Sequence, residues 1–133
     1  MLGVDTNVLV RFLSGDDEMQ SAEAAALVAR SVNQPVYLSL LVLAEAFTVM
    51  TKVKKYPAGK VLDAYRLLLR SPHMKVERSD LFVRALDDAA RTRADLPDAL
   101  IALQNEDVGC VATATFDLRA SRLDAMCAVK DCL

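Results

Sequence analysis

The hydrophobic positions of this 133-residue chain fall into short apolar runs that alternate with longer segments of helical periodicity. The runs at residues 1–4 and 36–38 are compact and uncharged, which is typical of buried strands. Further short strands are predicted at residues 75–76 and 110–114. Strands that alternate with amphipathic helices favour an α/β fold, in which a central parallel β-sheet is flanked by α-helices on both faces.

Helices are predicted from periodicity over residues 39–53, 58–70, 79–93 and 97–108. Ser39 is expected to cap the first helix, and Pro57 separates it from the second. Pro97 and Gly109 bracket the last helix, because proline suits a first helical turn and glycine suits the residue just past the end. No repeat or linker divides the chain. We therefore expect residues 1–133 to form a single domain, which at this length buries roughly two thirds of its surface.

Charge is distributed unevenly along the chain. The formal net charge is -2, which argues against a protein coated in positive charge for nucleic-acid binding. Residues 51–70, however, carry six lysines and arginines against Asp63 alone, and acidic segments lie on both sides. This basic segment is either a solvated helical face or a source of phosphate contacts, and the sequence leaves both interpretations open.

Several classes of protein are disfavoured by what the sequence lacks. No apolar stretch approaches the roughly 20 residues that cross a bilayer, and no basic-then-apolar leader opens the chain, so we expect a soluble, unexported protein. The three cysteines have no metal-finger spacing, which predicts free thiols in a reducing compartment. Four scattered glycines do not form a phosphate-binding loop. The single histidine, His73, is expected to be an ordinary surface residue.

Four acidic residues each stand alone in a stretch that the fold is expected to bury: Asp5, Glu45, Asp98 and Asp117. Asp5 and Asp117 follow strands and could organise turns, and Asp98 could complement the N-terminus of its helix. Glu45 resists such an explanation, because it lies within an apolar helix with no lysine or arginine within a turn. Burying an unpaired carboxylate costs several kcal/mol or forces it to bind a proton.

A divalent cation would resolve this cost. Hard cations such as Mg2+ and Mn2+ prefer oxygen ligands, and a cluster of acids supplies both the ligands and the balancing charge. Zinc is a poor candidate, since no histidine or cysteine is grouped near the acids. The residue pattern therefore favours chemistry that is assisted by one or two Mg2+ or Mn2+ ions.

Four short motifs carry a family resemblance. The segment DTNVLVRFL at residues 5–13 resembles the opening of PIN-domain nucleases, especially VapC-type toxins of bacterial toxin-antitoxin pairs. LAE at residues 43–45, LPDALIA at 96–102 and ATFD at 114–117 resemble the family's later acidic motifs. Their order and spacing match across essentially the whole chain.

The resemblance implies a PIN-like fold and phosphodiester hydrolysis of RNA. By this resemblance Asp5, Glu45 and Asp98 bind the metal, and Asp117 binds a second ion or orients water. Residues expected to hold these carboxylates by hydrogen bonds are Thr6, Asn7 and Thr115. Thr6 and Thr115 are equally expected as turn residues. The residues expected to contact RNA phosphates are Lys52, Lys54, Lys55 and Lys60, with Arg66 and Arg70 as further basic side chains.

The resemblance also implies partners: an RNA substrate, an antitoxin protein that covers the acidic pocket, and a second copy of the chain. Apolar stripes on helices 39–53 and 58–70 exceed what one sheet face covers, which predicts a homodimer unless a second helix layer absorbs them. The expected location is the cytoplasm. The main alternative is a PIN-domain nuclease of RNA processing or repair without an antitoxin. A phospho-receiver signalling domain is disfavoured, because no paired acids follow the first strand, and a binding protein with an inactive site is disfavoured by the four intact acids.

Overall fold

A computed structural model describes residues 1–30 and 33–133, which divide into two compact units, residues 1–79 and 80–133. The first unit contains β1 (Leu2–Gly3), α1 (Thr6–Ser14), α2 (Glu18–Ala29), β2 (Val36–Leu38), α3 (Leu40–Thr48), a π-helical segment (Val49–Val53), α4 (Ala58–Arg70) and β3 (Met74–Val76). From residue 79 onward follow α5 (Ser79–Thr92), α6 (Leu96–Asp107), β4 (Thr113–Thr115), a 3-10 turn (Ala120–Arg122), β5 (Met126–Ala128) and α7 (Val129–Cys132).

All the described strands pair in parallel. In the first unit the order is β1-β2-β3, with Val36 opposite both Leu2 and Met74. In the second unit β4 pairs with β5, and Thr113 lies opposite Met126. The predicted α/β class, a parallel sheet flanked by helices, is confirmed. The described strands nevertheless form two separate sheets, whereas the sequence pattern predicted one central sheet.

The position of each strand in its sheet decides its burial. β2 is the central strand of the first unit, and Val36 and Leu38 are fully buried. The prediction that the first strand is buried was wrong, because β1 lies at the sheet edge and Leu2 is exposed. The last predicted strand, residues 110–114, lies instead at Thr113–Thr115, with Val111 exposed.

The helix predicted over residues 39–53 is α3 followed by the π-helical segment, so its last turns are not α-helical, and α4 has its predicted bounds. The Ser39 hydroxyl accepts a hydrogen bond from the Val42 amide at 3.2 Å and so caps α3. Tyr65 of α4 is completely buried, and its hydroxyl donates to the Leu43 carbonyl oxygen at 2.7 Å. Most of the side chains that were expected to be surplus apolar surface are core: Leu40, Leu43, Phe47, Met50, Val61, Leu62, Tyr65 and Leu68. Within the first unit, therefore, packing of these helices absorbs most of both stripes.

The predicted bracketing of α6 is confirmed. Pro97 lies in its first turn. Gly109 has a φ of 100°, a backbone conformation that glycine adopts at little cost. No helix within residues 1–30 and 33–133 is long and apolar enough to cross a membrane.

Four of the described helices and strands had no counterpart in the sequence prediction: α1, α2, β5 and α7. Asp5 caps α1, and Asp17 caps α2 by accepting from the Gln20 amide at 3.0 Å. The expectation of three free cysteines was also wrong. Cys127 of β5 and Cys132 of α7 form a disulfide, because β5 leads directly into α7 and places the two Cα atoms 6.3 Å apart. Cys110 is free and exposed.

Candidate functional site

The first candidate residue, Asp5, lies between β1 and α1. Its backbone is extended, and its Oδ1 accepts a hydrogen bond from the Val8 amide at 3.1 Å. This hydrogen bond satisfies one of the amides that a helix N-terminus leaves without an intrahelical partner. The side chain is exposed. Asp5 thus has a structural role as a helix cap, while its Oδ2 lies outside that hydrogen bond.

Glu45 of α3 lies near Asp5, because it forms a hydrogen bond with Thr6, the next residue of the chain. The Thr6 hydroxyl donates to Glu45 Oε2 at 2.6 Å, across 39 positions of sequence. The expectation that Glu45 is a buried, unpaired carboxylate was wrong, because α3 turns this residue to the exposed side. Since Thr6 follows Asp5 directly, the structure brings Asp5, Thr6 and Glu45 together at the N-terminus of α1. Asn7, the next residue, lines the same surface as Asp5.

The second unit holds the other two candidate acids. Asp98 is half-buried in the first turn of α6, where its amide donates to the Asp95 carbonyl oxygen at 3.1 Å. Asp117 is exposed after β4. Its Oδ1 accepts from the amides of Arg119 and Ala120, at 2.8 and 3.1 Å.

Thr115 acts on the backbone of Asp117 rather than on its carboxylate. The Asp117 amide donates to Thr115 Oγ1 at 3.0 Å. The turn after β4 is therefore held both by the Thr115 hydroxyl and by the Asp117 carboxylate itself.

The donor atoms of these acids suit a hard cation. Carboxylate and hydroxyl oxygens are the ligands that Mg2+ and Mn2+ prefer, and neither sulfur nor imidazole stands among the candidate residues. The hydrogen bonds of Asp5 and Glu45 engage Oδ1 and Oε2, so Oδ2 and Oε1 lie outside them. Throughout the described residues, no group of three or more Asp, Glu, His or Cys side chains is close enough to hold a metal ion.

The lysines expected to contact RNA differ in their surroundings. Lys52 is exposed on the π-helical segment, Lys55 on the connection that follows it, and Lys60 in the first turn of α4. Lys54 is only 19 % exposed and forms an ion pair with Asp16. Hydrogen bonds from Lys54 and then Ser14 lower the pKa of Asp16 to about 2. A phosphate at Lys54 would have to compete with this carboxylate.

Two groups near the candidate site have no counterpart in the sequence prediction. Arg11 of α1 donates through Nε to Gln20 of α2 at 2.8 Å and lines a groove that begins at Asp5. Glu77 follows β3, and its Oε1 accepts from the amide of Leu40, the first residue of α3, at 2.8 Å. Neither Arg11 nor Glu77 belongs to a periodic pattern of charges, so the sequence did not single out either residue as part of a site. Glu77 was detectable only as a charge directly after a predicted strand, as Asp5 is after the strand predicted over residues 1–4.

This arrangement defines a class of protein: an α/β fold with acidic side chains just past parallel strands, where ligands of such folds collect. The sequence matches the PIN domain family over residues 3–126, almost the whole chain, and the chain belongs to that family. PIN domains are generally metal-dependent nucleases, so the fold is that of a metal-dependent hydrolase. No curated protein sequence matches the chain.

Proposed function

We propose that this protein is a Mg2+- or Mn2+-dependent endoribonuclease that hydrolyses RNA phosphodiester bonds and serves as the toxin of a toxin-antitoxin pair. The observation that carries the proposal is the Asp5, Thr6 and Glu45 arrangement within a PIN domain, since it joins two motifs of the family 39 positions apart. The resemblance of the DTNVLVRFL segment to VapC-type toxins supports the toxin role.

In this proposal Asp5, Glu45 and Asp98 bind the metal ion, and Asp117 binds a second ion or orients water. A bound ion lowers the pKa of water and neutralises charge on the phosphate oxygens. The other residues position these acids. Thr6 restrains the Glu45 carboxylate, and Asn7 lies beside Asp5. Thr115 restrains the backbone of Asp117, and the amides of the residues at positions 119 and 120 restrain its carboxylate.

The test is cleavage of defined RNAs by the purified protein with and without Mn2+, compared with Asp98→Asn. We expect that this substitution abolishes cleavage and leaves the domain folded, because it removes one ligand and relieves carboxylate repulsion. Asp107→Asn, at the other end of α6, is the matched control and should keep full activity. Full activity of Asp98→Asn, or cleavage that is indifferent to divalent metal, contradicts the proposal.

The toxin role is tested separately in cells. Expression of the wild type should arrest growth. If the reading frame immediately upstream encodes a small antitoxin, its co-expression should restore growth. Active ribonuclease without growth arrest would favour the alternative, a PIN-domain nuclease of RNA processing. The proposal places the protein in the cytoplasm, where its RNA substrate is.

RNA binding is proposed to use the exposed lysines of the basic segment. Replacing Lys52 and Lys55 with alanine should weaken binding and reduce the slope of log affinity against log salt by about 0.7 for each phosphate that the variant no longer neutralises. Lys54→Ala should change the slope less than Lys55→Ala, because Lys54 already pairs with Asp16. Lys75→Ala, on exposed β3, is the control. An unchanged slope in the double variant assigns these lysines to a solvated face.

A homodimer is part of the proposal. Its support is the large apolar side chains that α3, the π-helical segment and α4 leave exposed: Leu41, Val53 and Leu67, each more than 60 % exposed. Light scattering at micromolar concentration should give twice the chain mass, and Leu67→Glu should reduce it to one. A wild-type mass that stays monomeric contradicts the dimer and leaves these residues as ordinary surface.

A further inference from the structure

A groove of about 480 Å3 lies between α1 and α2 and begins at Asp5. We call it the α1–α2 groove and define it by Asn7, Val8, Arg11, Glu23, Ala24 and Leu27. Its volume is within the range of about 300 to 1,000 Å3 that small-molecule sites occupy. The groove is therefore large enough for a nucleoside, and it lies directly beside a proposed metal ligand.

Arg11 is held in one orientation at this groove. Its Nε donates to the Gln20 side-chain oxygen at 2.8 Å, and its Nη1 donates to Asp16 Oδ1 at 3.2 Å. These two hydrogen bonds fix the plane of the guanidinium and engage Nε and Nη1, which leaves Nη2 outside both. The side chain remains 31 % exposed. Arg11 thus presents donors whose direction is set before any ligand arrives.

The charges of the groove disfavour a phosphate and suit a neutral ligand. Asp5 and Glu23 contribute two carboxylates against the single guanidinium of Arg11. Val8, Ala24 and Leu27 provide apolar surface for a flat ring. A ligand that matches this groove is uncharged and planar, with acceptors for the guanidinium and donors for a carboxylate.

We propose that the α1–α2 groove is a base subsite, which holds one unpaired guanine of the RNA next to the phosphate that is cleaved. The inference rests on the proposed ribonuclease function and specifies its substrate. Guanine presents two acceptors, O6 and N7, the atoms that arginine contacts most often in specific base recognition, and either of them can accept a hydrogen bond from Arg11 Nη2. Its N1–H and N2–H groups are donors for Glu23. Unpaired bases are the usual targets of sequence-specific RNA recognition.

The test separates binding from cleavage. Affinities of 11-nucleotide oligouridines with G, A or C at the central position are measured by fluorescence anisotropy, with EDTA present and no added metal. We expect the wild type to bind the guanine oligonucleotide about tenfold more tightly than the other two. Arg11→Met and Glu23→Gln should each bring that ratio close to one. Glu18→Gln, an exposed acid on the same helix, is the matched control and should keep the preference.

Mapping of cut sites on a long RNA in Mn2+ supplies the second measurement. Guanine should be enriched at one fixed position relative to the cut, and Glu23→Gln should remove the enrichment while cleavage continues. No base preference in the wild type, a preference for another base, or a preference that persists in both groove variants overturns the base subsite. A wild type that neither binds nor cleaves RNA overturns the proposed function as well, so the two failures are distinguishable.

Discussion

Removing the Thr6 hydroxyl is the sharpest test of the link between the first two acidic motifs. Thr6→Val keeps the β-branched shape of the side chain and deletes only the group that donates to Glu45 at 2.6 Å. We expect this substitution to leave the fold intact and to weaken metal binding, because the hydroxyl restrains the Glu45 carboxylate without itself being one of the proposed metal ligands.

The expected effects of Thr6→Val on the free energy of unfolding and on metal affinity differ in size. A hydrogen bond to a charged group contributes about 1.5 to 3 kcal/mol when it is protected. Glu45 is exposed, so water replaces the missing donor and the free energy of unfolding should fall by less than about 1 kcal/mol. Removal of a partner that orients a metal ligand typically lowers metal affinity by about 10- to 100-fold. This corresponds to about 1.4 to 2.7 kcal/mol of binding free energy.

The assay is a Mn2+ titration of each variant. Calorimetry gives the metal affinity, and the cleavage rate is measured as a function of Mn2+ concentration. Thr6→Ser retains the hydroxyl and should bind metal nearly as tightly as the wild type. Thr48→Val is the matched control on α3, since its hydroxyl donates only to the Ala44 carbonyl oxygen of the same helix. Wild-type metal affinity in Thr6→Val, or an equal decrease in Thr48→Val, would refute the positioning role of Thr6.

Three further predictions concern stability. Burial raises the pKa of Tyr65 above its ordinary value, so its contribution is present below about pH 10 and is lost as pH rises further. Chemical denaturation should show Tyr65→Phe less stable by about 1 kcal/mol near neutral pH, because the hydrogen bond to Leu43 is absent, with a flatter decline at alkaline pH. The pKa of Asp16 is lowered to about 2, so its stabilisation is present above about pH 4 and is lost as pH falls through 2. Melting temperatures of Asp16→Asn and the wild type should therefore differ at pH 5 and converge near pH 2. Gly15 ends α1 with a φ of 66°, and Gly15→Ala should lower unfolding free energy by about 1 kcal/mol in urea titrations.

Elements with a strong local signal were predicted well. The α4 bounds, Ala58–Arg70, agree with the helix predicted after Pro57, because proline cannot continue the preceding helix and the apolar period of α4 is regular. α2 was not predicted, because within it only Ala24 is buried and no apolar stripe reveals a helix. β5 has three residues, as β2 has, but no proline like Pro35 before β2 marks where it begins.

For the candidate acids, too, the sequence predicted one property and not another: it predicted their positions along the elements but not their surroundings. The motifs place Asp5 after a strand and Glu45 within a helix, and both positions are confirmed. Their surroundings were not predictable from the spacing. A helix with two apolar stripes does not reveal which of them meets the core, and in α3 the core takes Leu43 and Phe47 and leaves Glu45 exposed. Glu45 therefore marks a motif of the family, although not because its carboxylate is buried.

The sequence by itself determined the α/β class, most helix bounds and the order of the acidic motifs, because these depend on residues within a few positions of one another. Only the tertiary structure decided that Thr6 bonds Glu45 and that Lys54 pairs with Asp16. It also decided that Arg11 lies against Gln20 at a groove. The physical reason is that such contacts depend on how helices pack. The Thr6–Glu45 contact joins positions 39 residues apart, and no local sequence pattern predicts it.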